Sequence, residues 1–219
     1  MFSGGGFFFG GKQAFCNAYR QPHRKKIRHA HFYGCSAGAI IAALACCQID
    51  IQKAKNEALK IAKDNNLWTS QTRMIFDISH CLESFLNTLL PDNAAMMCKS
   101  KLTIYATKVD FWSCPIMTCS ELHAFKTKDE IIQACLASVQ IPFLLNGKAT
   151  YPFLTKHYID GSLFSPSMPD AITINHKNDN NMQKKKWYFL QNFTQDDFDE
   201  MIEFGRMYGD EMGSTFCFY

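Results

Sequence analysis

Small and apolar side chains run from Ala37 to Cys47 with only Gly38 among them, and no polar face interrupts the run. A segment apolar all round suits a helix buried in the centre of a fold, and the pattern predicts one over Ala37–Gln48. Just before it, "AHFY" (Ala30–Tyr33) reads as a short buried strand running straight into Gly34. The next stretch, "DIQKAKNEALKIAKDNN", brings Ile51, Ala54, Ala58, Leu59, Ile61 and Ala62 to one side at helical spacing, which predicts an exposed amphipathic helix. A further helix is predicted from Ile75 to Leu90, stopped by Pro91. Leu102 to Val109 alternates and carries β-branched residues, so it reads as a strand. "TKDEIIQACLASVQIPF" opens on a threonine cap with acids in its first turn and ends before Pro142, the marks of a helix.

Toward the C-terminus, "HYIDGSL" is a short strand meeting an Asp-Gly turn, "NHKNDNNMQKKK" a polar surface loop, "KWYFLQNF" a strand, and "QDDFDEMIEFGRMYGDEM" an amphipathic helix. Toward the N-terminus, a glycine and phenylalanine run is followed by a short helix over Lys12–Tyr19 and a basic loop broken by Pro22. Strands alternating with helices predict an α/β layer fold around a largely parallel sheet.

Composition narrows the function classes. With 219 residues and 47% hydrophobic content, one domain over 1–219 is expected, its core at about 3–170 and the polar loop, strand and helix in 171–219. Twenty-three basic and 20 acidic residues nearly balance at +3, so nucleic acid is not expected as a partner. Ten cysteines occur without Cys-x-x-Cys pairs or zinc-type His/Cys spacing, so reduced, mostly buried thiols are expected and no metal site. No basic, apolar leader is evident at the N-terminus, and the longest apolar run is too short to span a bilayer. A cytoplasmic protein, soluble or peripheral, is the expectation.

Gly34-Cys35-Ser36-Ala37-Gly38 fits G-x-S-x-G, a sharp strand-to-helix turn that lifts a serine hydroxyl above a sheet edge. By itself the pattern allows a plain turn as readily as a nucleophile. At the start of a helix the Ser36 oxygen would lie near the positive end of the dipole, which favours alkoxide-like charge. A serine nucleophile also needs an oxyanion hole, for which the run Gly4-Gly5-Gly6 can aim several backbone N–H groups at one point. Gly11-Lys12 is followed by Gln13, which excludes a Walker A loop. For the base, the order Ser36, Asp160, His176 is formally a triad, although His176 sits in the polar loop and 35 residues cannot hold the strands that precede such a nucleophile in an α/β-hydrolase. His157 is close to Asp160 in sequence. Arg20, Arg24, Lys25, Lys26 and Arg28 form a basic patch that reads as a solvated loop or as a contact for anionic head groups. Phe7, Phe8 and Phe9 read as core packing or as the wall of an acyl pocket.

An N-terminal glycine loop, G-x-S-x-G some thirty residues on, and a strand ending in Asp-Gly resemble the patatin-like lipid acyl hydrolases. "HFYGCSAGAIIAAL", "FKTKDEIIQACLASVQIPFL" and "HYIDGSLFSPSMPD" resemble in particular the branch of adipose triglyceride lipase and adiponutrin, over roughly Ser3 to Asp170. The resemblance implies a three-layer α/β/α fold with a mostly parallel central sheet. It also implies a Ser-Asp dyad in which Asp160 takes the proton of Ser36 directly. Amides of Gly4, Gly5 and Gly6 would hold the oxyanion, Gly34 and Gly38 would shape the elbow, and Gly161 the turn after the aspartate. The implied substrates are phospholipid or neutral glycerolipid esters at a membrane or droplet surface, cleaved through an acyl-enzyme without metal or organic cofactor. The alternative is a catalytically impaired lipid-binding or regulatory module of the same fold.

Overall fold

The computed structural model describes residues 30–65, 73–164, 174 and 195–216. The predicted helix at Lys12–Tyr19, the basic loop to His29, Gly4–Gly6, Phe7–Phe9, His176, the polar loop and the strand "KWYFLQNF" lie outside the described residues. In chain order the elements are β1 (Phe32–Cys35), α1 (Ala37–Cys46), α2 (Ile51–Asp64), α3 (Arg73–Leu89), α4 (Ala94–Cys98), β2 (Leu102–Val109), β3 (Met117–Leu122), α5 (Lys128–Val139), β4 (Tyr151–Phe153), β5 (Lys156–Ile159) and α6 (Gln195–Phe216).

Most of these follow from the side-chain pattern. Every residue of α1 is buried, as an all-apolar helix requires. In α2 only Ala54 and Ala62 are fully buried, with Ala58 and Ile61 half-buried against the core. Its start is set by Asp50, whose carboxylate accepts from the N–H groups of Gln52 and Lys53, a side-chain cap worth about 1 kcal/mol. Thr127 caps α5 in the same way, accepting from the Glu130 N–H, while the Glu130 carboxylate reaches back to the Lys126 N–H. Strand β2 has the predicted limits, whereas β1 begins and ends two residues later than Ala30–Tyr33 because Gly34 and Cys35 pair with Ile104 and Tyr105.

Pairing gives a mixed sheet. Strands β1 and β2 are parallel, and β2–β3, β2–β5 and β4–β5 are antiparallel. Among the described residues the sheet is therefore not mostly parallel: β2–β3 and β4–β5 are joined by short turns, which can only reverse the chain, while the long helical crossover from β1 to β2 permits a parallel pair. Strand β2 is buried almost along its whole length. Leu102, Ile104 and Ala106 join the main core with Ile41 and Leu44 of α1, Leu86 of α3, and Ile131 and Leu136 of α5. Helices α1 and α5 touch each other and both pack on β2, so they cover one face of the sheet. The alternate residue Tyr105 belongs to the other face, where its ring stacks on Tyr33, which in turn stacks on His31. An ion pair between Lys55 and Asp199 ties α6 to α2, and Met201 of α6 is fully buried.

Candidate functional site

The register of the sheet brings together two chain segments 124 residues apart. Strand β3 runs along β2 from Ile104 to Val109, so its edge is taken. The other edge of β2 is shared end to end: β1 lies along Leu102–Tyr105 in parallel, and β5 along Thr107–Val109 in the opposite direction. The C-terminal ends of β1 and β5 thus converge on Ala106. Ser36 is the residue after β1, and Asp160 is the residue after β5. The Ser36 hydroxyl donates to Asp160 Oδ2 at 2.6 Å, with both residues buried.

Ser36 occupies the N-cap position of α1 with φ 53° and ψ −135°, a conformation that costs a non-glycine residue about 1–3 kcal/mol. Its surroundings hold it there. The Ser36 N–H donates to Ser138 Oγ at 2.8 Å, and the Ser36 carbonyl accepts from the Ala39 N–H at 2.8 Å. Ser138, fully buried in α5, donates its own hydroxyl hydrogen bond to the Tyr105 carbonyl of β2 at 2.7 Å. The Ser36 side chain makes no cap bond, so its hydroxyl is given to Asp160 instead. Gly34 allows the sharp entry into the helix: a Cβ on it would stand 2.3 Å from the Gly38 carbonyl oxygen and 2.7 Å from Ala39 Cα.

Besides its bond to Ser36, Asp160 is held by its backbone and by the turn that follows it. Its N–H donates to the Gln140 carbonyl at 2.8 Å, and its carbonyl accepts from Thr107 Oγ1 at 2.8 Å. Oδ1 accepts from the Ser162 N–H at 2.8 Å and from the Ser162 hydroxyl. One carboxylate oxygen is therefore committed to the turn and the other faces the serine. Gly161 lets this turn lie on β2, because a Cβ there would be 1.9 Å from the Tyr105 carbonyl oxygen. Ser36, Asp160, Gly34, Gly38 and Gly161 are thus brought together around Tyr105 and Ala106. Gly4, Gly5 and Gly6 are among the residues not described.

Among the described residues no histidine bonds to Ser36 or Asp160. His157, three residues from Asp160, is exposed and pairs with Thr150 Oγ1 at 3.0 Å. His31 lies against Thr103 at 2.9 Å, and burial holds its imidazole below its ordinary pKa. No motif in the sequence marks three polar residues of the site, Ser138, Gln140 and Ser162. The available signal for Ser138 was a hydroxyl in the apolar second half of α5, where burial demands a partner. Ser162 directly follows the Asp-Gly pair. All described cysteines are free thiols, and only Cys114 and Cys119 are exposed.

The patatin-like phospholipase family model matches residues 1–171. The chain belongs to that family. Its α/β arrangement is the patatin fold, with the helix after Ser36 at its centre. Among known proteins, this patatin chain is 31% identical over 180 residues to the 1-acylglycerol-3-phosphate O-acyltransferase Pnpla3 of Mus musculus, covering 78% of this chain and 41% of that protein. It is 27% identical over 180 residues to the omega-hydroxyceramide transacylase of Mus musculus, covering 79% of this chain and 29% of that protein. The human omega-hydroxyceramide transacylase is 28% identical over 187 residues, covering 79% and 32%. The chain spans less than half the length of the curated relatives it matches.

Proposed function

We propose that this patatin domain is a lipid acyl hydrolase that works through a Ser36–Asp160 dyad. The observation that carries the reading is the 2.6 Å hydrogen bond from Ser36 Oγ to Asp160 Oδ2, made by a serine held at positive φ on a strand-to-helix turn. A carboxylate in direct hydrogen-bond reach of a serine hydroxyl is placed to act as its general base. As Ser36 Oγ attacks an ester carbonyl, its proton passes to Oδ2, and Oδ1 keeps its two bonds to Ser162. The carbonyl electrons move onto oxygen, where amides of Gly4, Gly5 and Gly6 and the first turn of α1 would meet the negative charge. Collapse breaks the ester bond, the alcohol leaves with the proton from Asp160, and an acyl-Ser36 ester remains. Water, deprotonated by Asp160, then releases the fatty acid and restores the serine. No step calls for a metal or organic cofactor.

The substrates in this reading are phospholipid or neutral glycerolipid esters, met at a membrane or droplet surface to which the protein binds peripherally. No helix among the described residues is long and apolar enough to cross a membrane. The names of the matched relatives favour a second fate for the acyl group. Both are called acyl-transferring enzymes, and a lipid hydroxyl deprotonated by Asp160 can take the acyl group from Ser36 in place of water.

A fluorophosphonate probe and acyl-ester turnover on wild type, Ser36→Ala and Asp160→Asn test the dyad. Labelling is expected in wild type alone, with turnover lost in both variants. Equal labelling of Ser36→Ala would remove Ser36 as the nucleophile. Running the reaction with and without an added lipid alcohol, and analysing the products, separates hydrolysis from transfer. Vesicle binding without turnover, unchanged by Ser36→Ala, would instead favour a lipid-binding module.

A further inference from the structure

The loop joining β2 to β3 displays an unusual set of side chains. Trp112 is 98% exposed and Phe111 68%, with Ile116 and Met117 also exposed beside them. Leaving a whole Trp and most of a Phe in water on one short loop forgoes the burial that such residues normally seek. The loop is nonetheless ordered by its own bonds. The Asp110 N–H donates to the Ile116 carbonyl at 2.8 Å and closes the base. Asp110 Oδ1 accepts from the Trp112 N–H at 3.2 Å, and the Ser113 hydroxyl donates to the Asp110 and Pro115 carbonyls. The apolar tips are therefore presented, not merely uncovered.

Their position relates them to the candidate site. Strand β1 runs parallel to β2 and delivers Ser36 at the level of Ala106, and the 110–116 loop continues β2 beyond that same end. Four residues of strand separate Ala106 from Asp110, a reach of about 13 Å. The register Val109↔His157 and Phe153↔Lys156 brings the β4–β5 turn to this end as well, with Leu154 75% exposed at its tip. The charges flanking the patch are net positive. Lys108 and Asp110 pair at 3.7 Å and cancel, while Lys156 on the turn is exposed.

We propose that the 110–116 loop is the element by which this domain seats on a phospholipid surface: Phe111, Trp112 and Ile116 enter the interfacial layer, with Leu154 beside them and Lys156 against anionic head groups. An amphipathic indole at the tip with large apolar neighbours and a flanking cation is the composition that interfaces retain. The choice of lipid over a protein partner rests on the acyl-ester reading above, and the end of the sheet that would face the surface is the one toward which β1 presents Ser36.

The test measures flotation of the full chain with phosphatidylcholine vesicles, with and without phosphatidylserine, for wild type and Phe111→Ser/Trp112→Ser. A form carrying Trp68→Phe and Trp187→Phe leaves Trp112 as the sole indole reporter. Wild type is expected to float, more strongly with phosphatidylserine, and Trp112 emission to shift blue and be quenched by brominated lipid. The double variant is expected to lose about tenfold in partitioning per side chain removed while its thermal unfolding stays as in wild type. Absence of wild-type binding, equal binding of the double variant, or an unmoved Trp112 emission overturns the proposal. So does a lipid-free self-association that the double variant abolishes, which would make the loop a contact between copies. The vesicle assay needs no turnover, so repeating it on Ser36→Ala separates the two readings: active Ser36→Ala sinks the dyad and leaves the loop result standing.

Discussion

Removing one hydroxyl, in Ser138→Ala, tests whether the site is held by the contacts described. Ser138 Oγ accepts the Ser36 N–H at 2.8 Å and donates to the Tyr105 carbonyl at 2.7 Å, with the side chain wholly buried. Alanine fills the backbone position but leaves a buried donor and a buried acceptor without these partners. At about 1–3 kcal/mol for each of the two unsatisfied groups, the loss of stability is about 2–6 kcal/mol. For a chain of this size that lowers the unfolding midpoint by roughly 4–24 °C. The same change frees Ser36 from the bond that holds its N–H at φ 53°, so the hydroxyl moves relative to Asp160 Oδ2. Turnover of a soluble acyl ester, measured well below the midpoint, is expected to fall about tenfold to 100-fold. Val139→Ala is the control: it removes buried apolar atoms beside Ser138 and no hydrogen bond, costing about 2 kcal/mol in stability with turnover retained. Circular dichroism melts and initial rates on the three proteins decide the matter. A Ser138→Ala midpoint within about 2 °C of wild type, or a rate loss no greater than that of Val139→Ala, would refute the reasoning.

Other consequences concern separate parts of the molecule. Gly161→Ala puts a Cβ 1.9 Å from the Tyr105 carbonyl oxygen and is expected to cost about 3 kcal/mol or more and to displace Asp160, seen as a lowered melt and lost probe labelling; a wild-type melt would show that the turn can shift freely. Burial, then Glu83 and Asp129, push the Tyr151 phenol up to about 12, so the folded state favours the neutral form. Its contribution to stability is full below about pH 10 and is lost as pH rises from there through about 12, so Tyr151→Phe should flatten that part of the alkaline unfolding curve. Among the described cysteines, Cys114 and Cys119 should take iodoacetamide in the folded protein, with Cys114 first because burial and Glu121 push the Cys119 thiol up; mass-spectrometric detection of early labelling at buried Cys35, Cys47 or Cys135 would contradict the packing.

Elements whose own sequence dictates them were legible. The all-apolar α1, the capped α5 and the alternating β2 needed only local pattern, and the structure places them within a residue or two of the expected limits. Strand β3 carries no such pattern, because "MTCSEL" lies on an edge with alternate residues exposed and lacks an apolar face. The three-residue β4 is too short to show a period and exists through its pairing with β5. Helix α4, five residues long, is likewise sustained by packing, through buried Ala94 and Cys98, more than by propensity. Alternation of strands and helices predicts a largely parallel sheet, a rule that does not see the hairpins supplying the antiparallel pairs.

The candidate site shows where local reading stops. G-x-S-x-G and Asp-Gly both suggested turns, and in turns glycine is usually valued for positive φ. Here the positive φ belongs to Ser36, while neither Gly34 nor Gly161 adopts one. Both glycines are instead required by close approach, Gly34 to the first turn of α1 and Gly161 to the carbonyl of Tyr105. That requirement arises only when β1 and β5 share one edge of β2 and run toward each other, with β3 occupying the opposite edge. No spacing in the chain encodes it, since the two strand ends are 124 residues apart. The meaning of Ser36 as the partner of Asp160 therefore depends on β2, whose Tyr105 carbonyl receives Ser138 from one segment and must clear Gly161 in another. A change at this one backbone position disturbs both halves of the pair at once, which is why Ser138, invisible as a motif, is the residue on which the geometry turns.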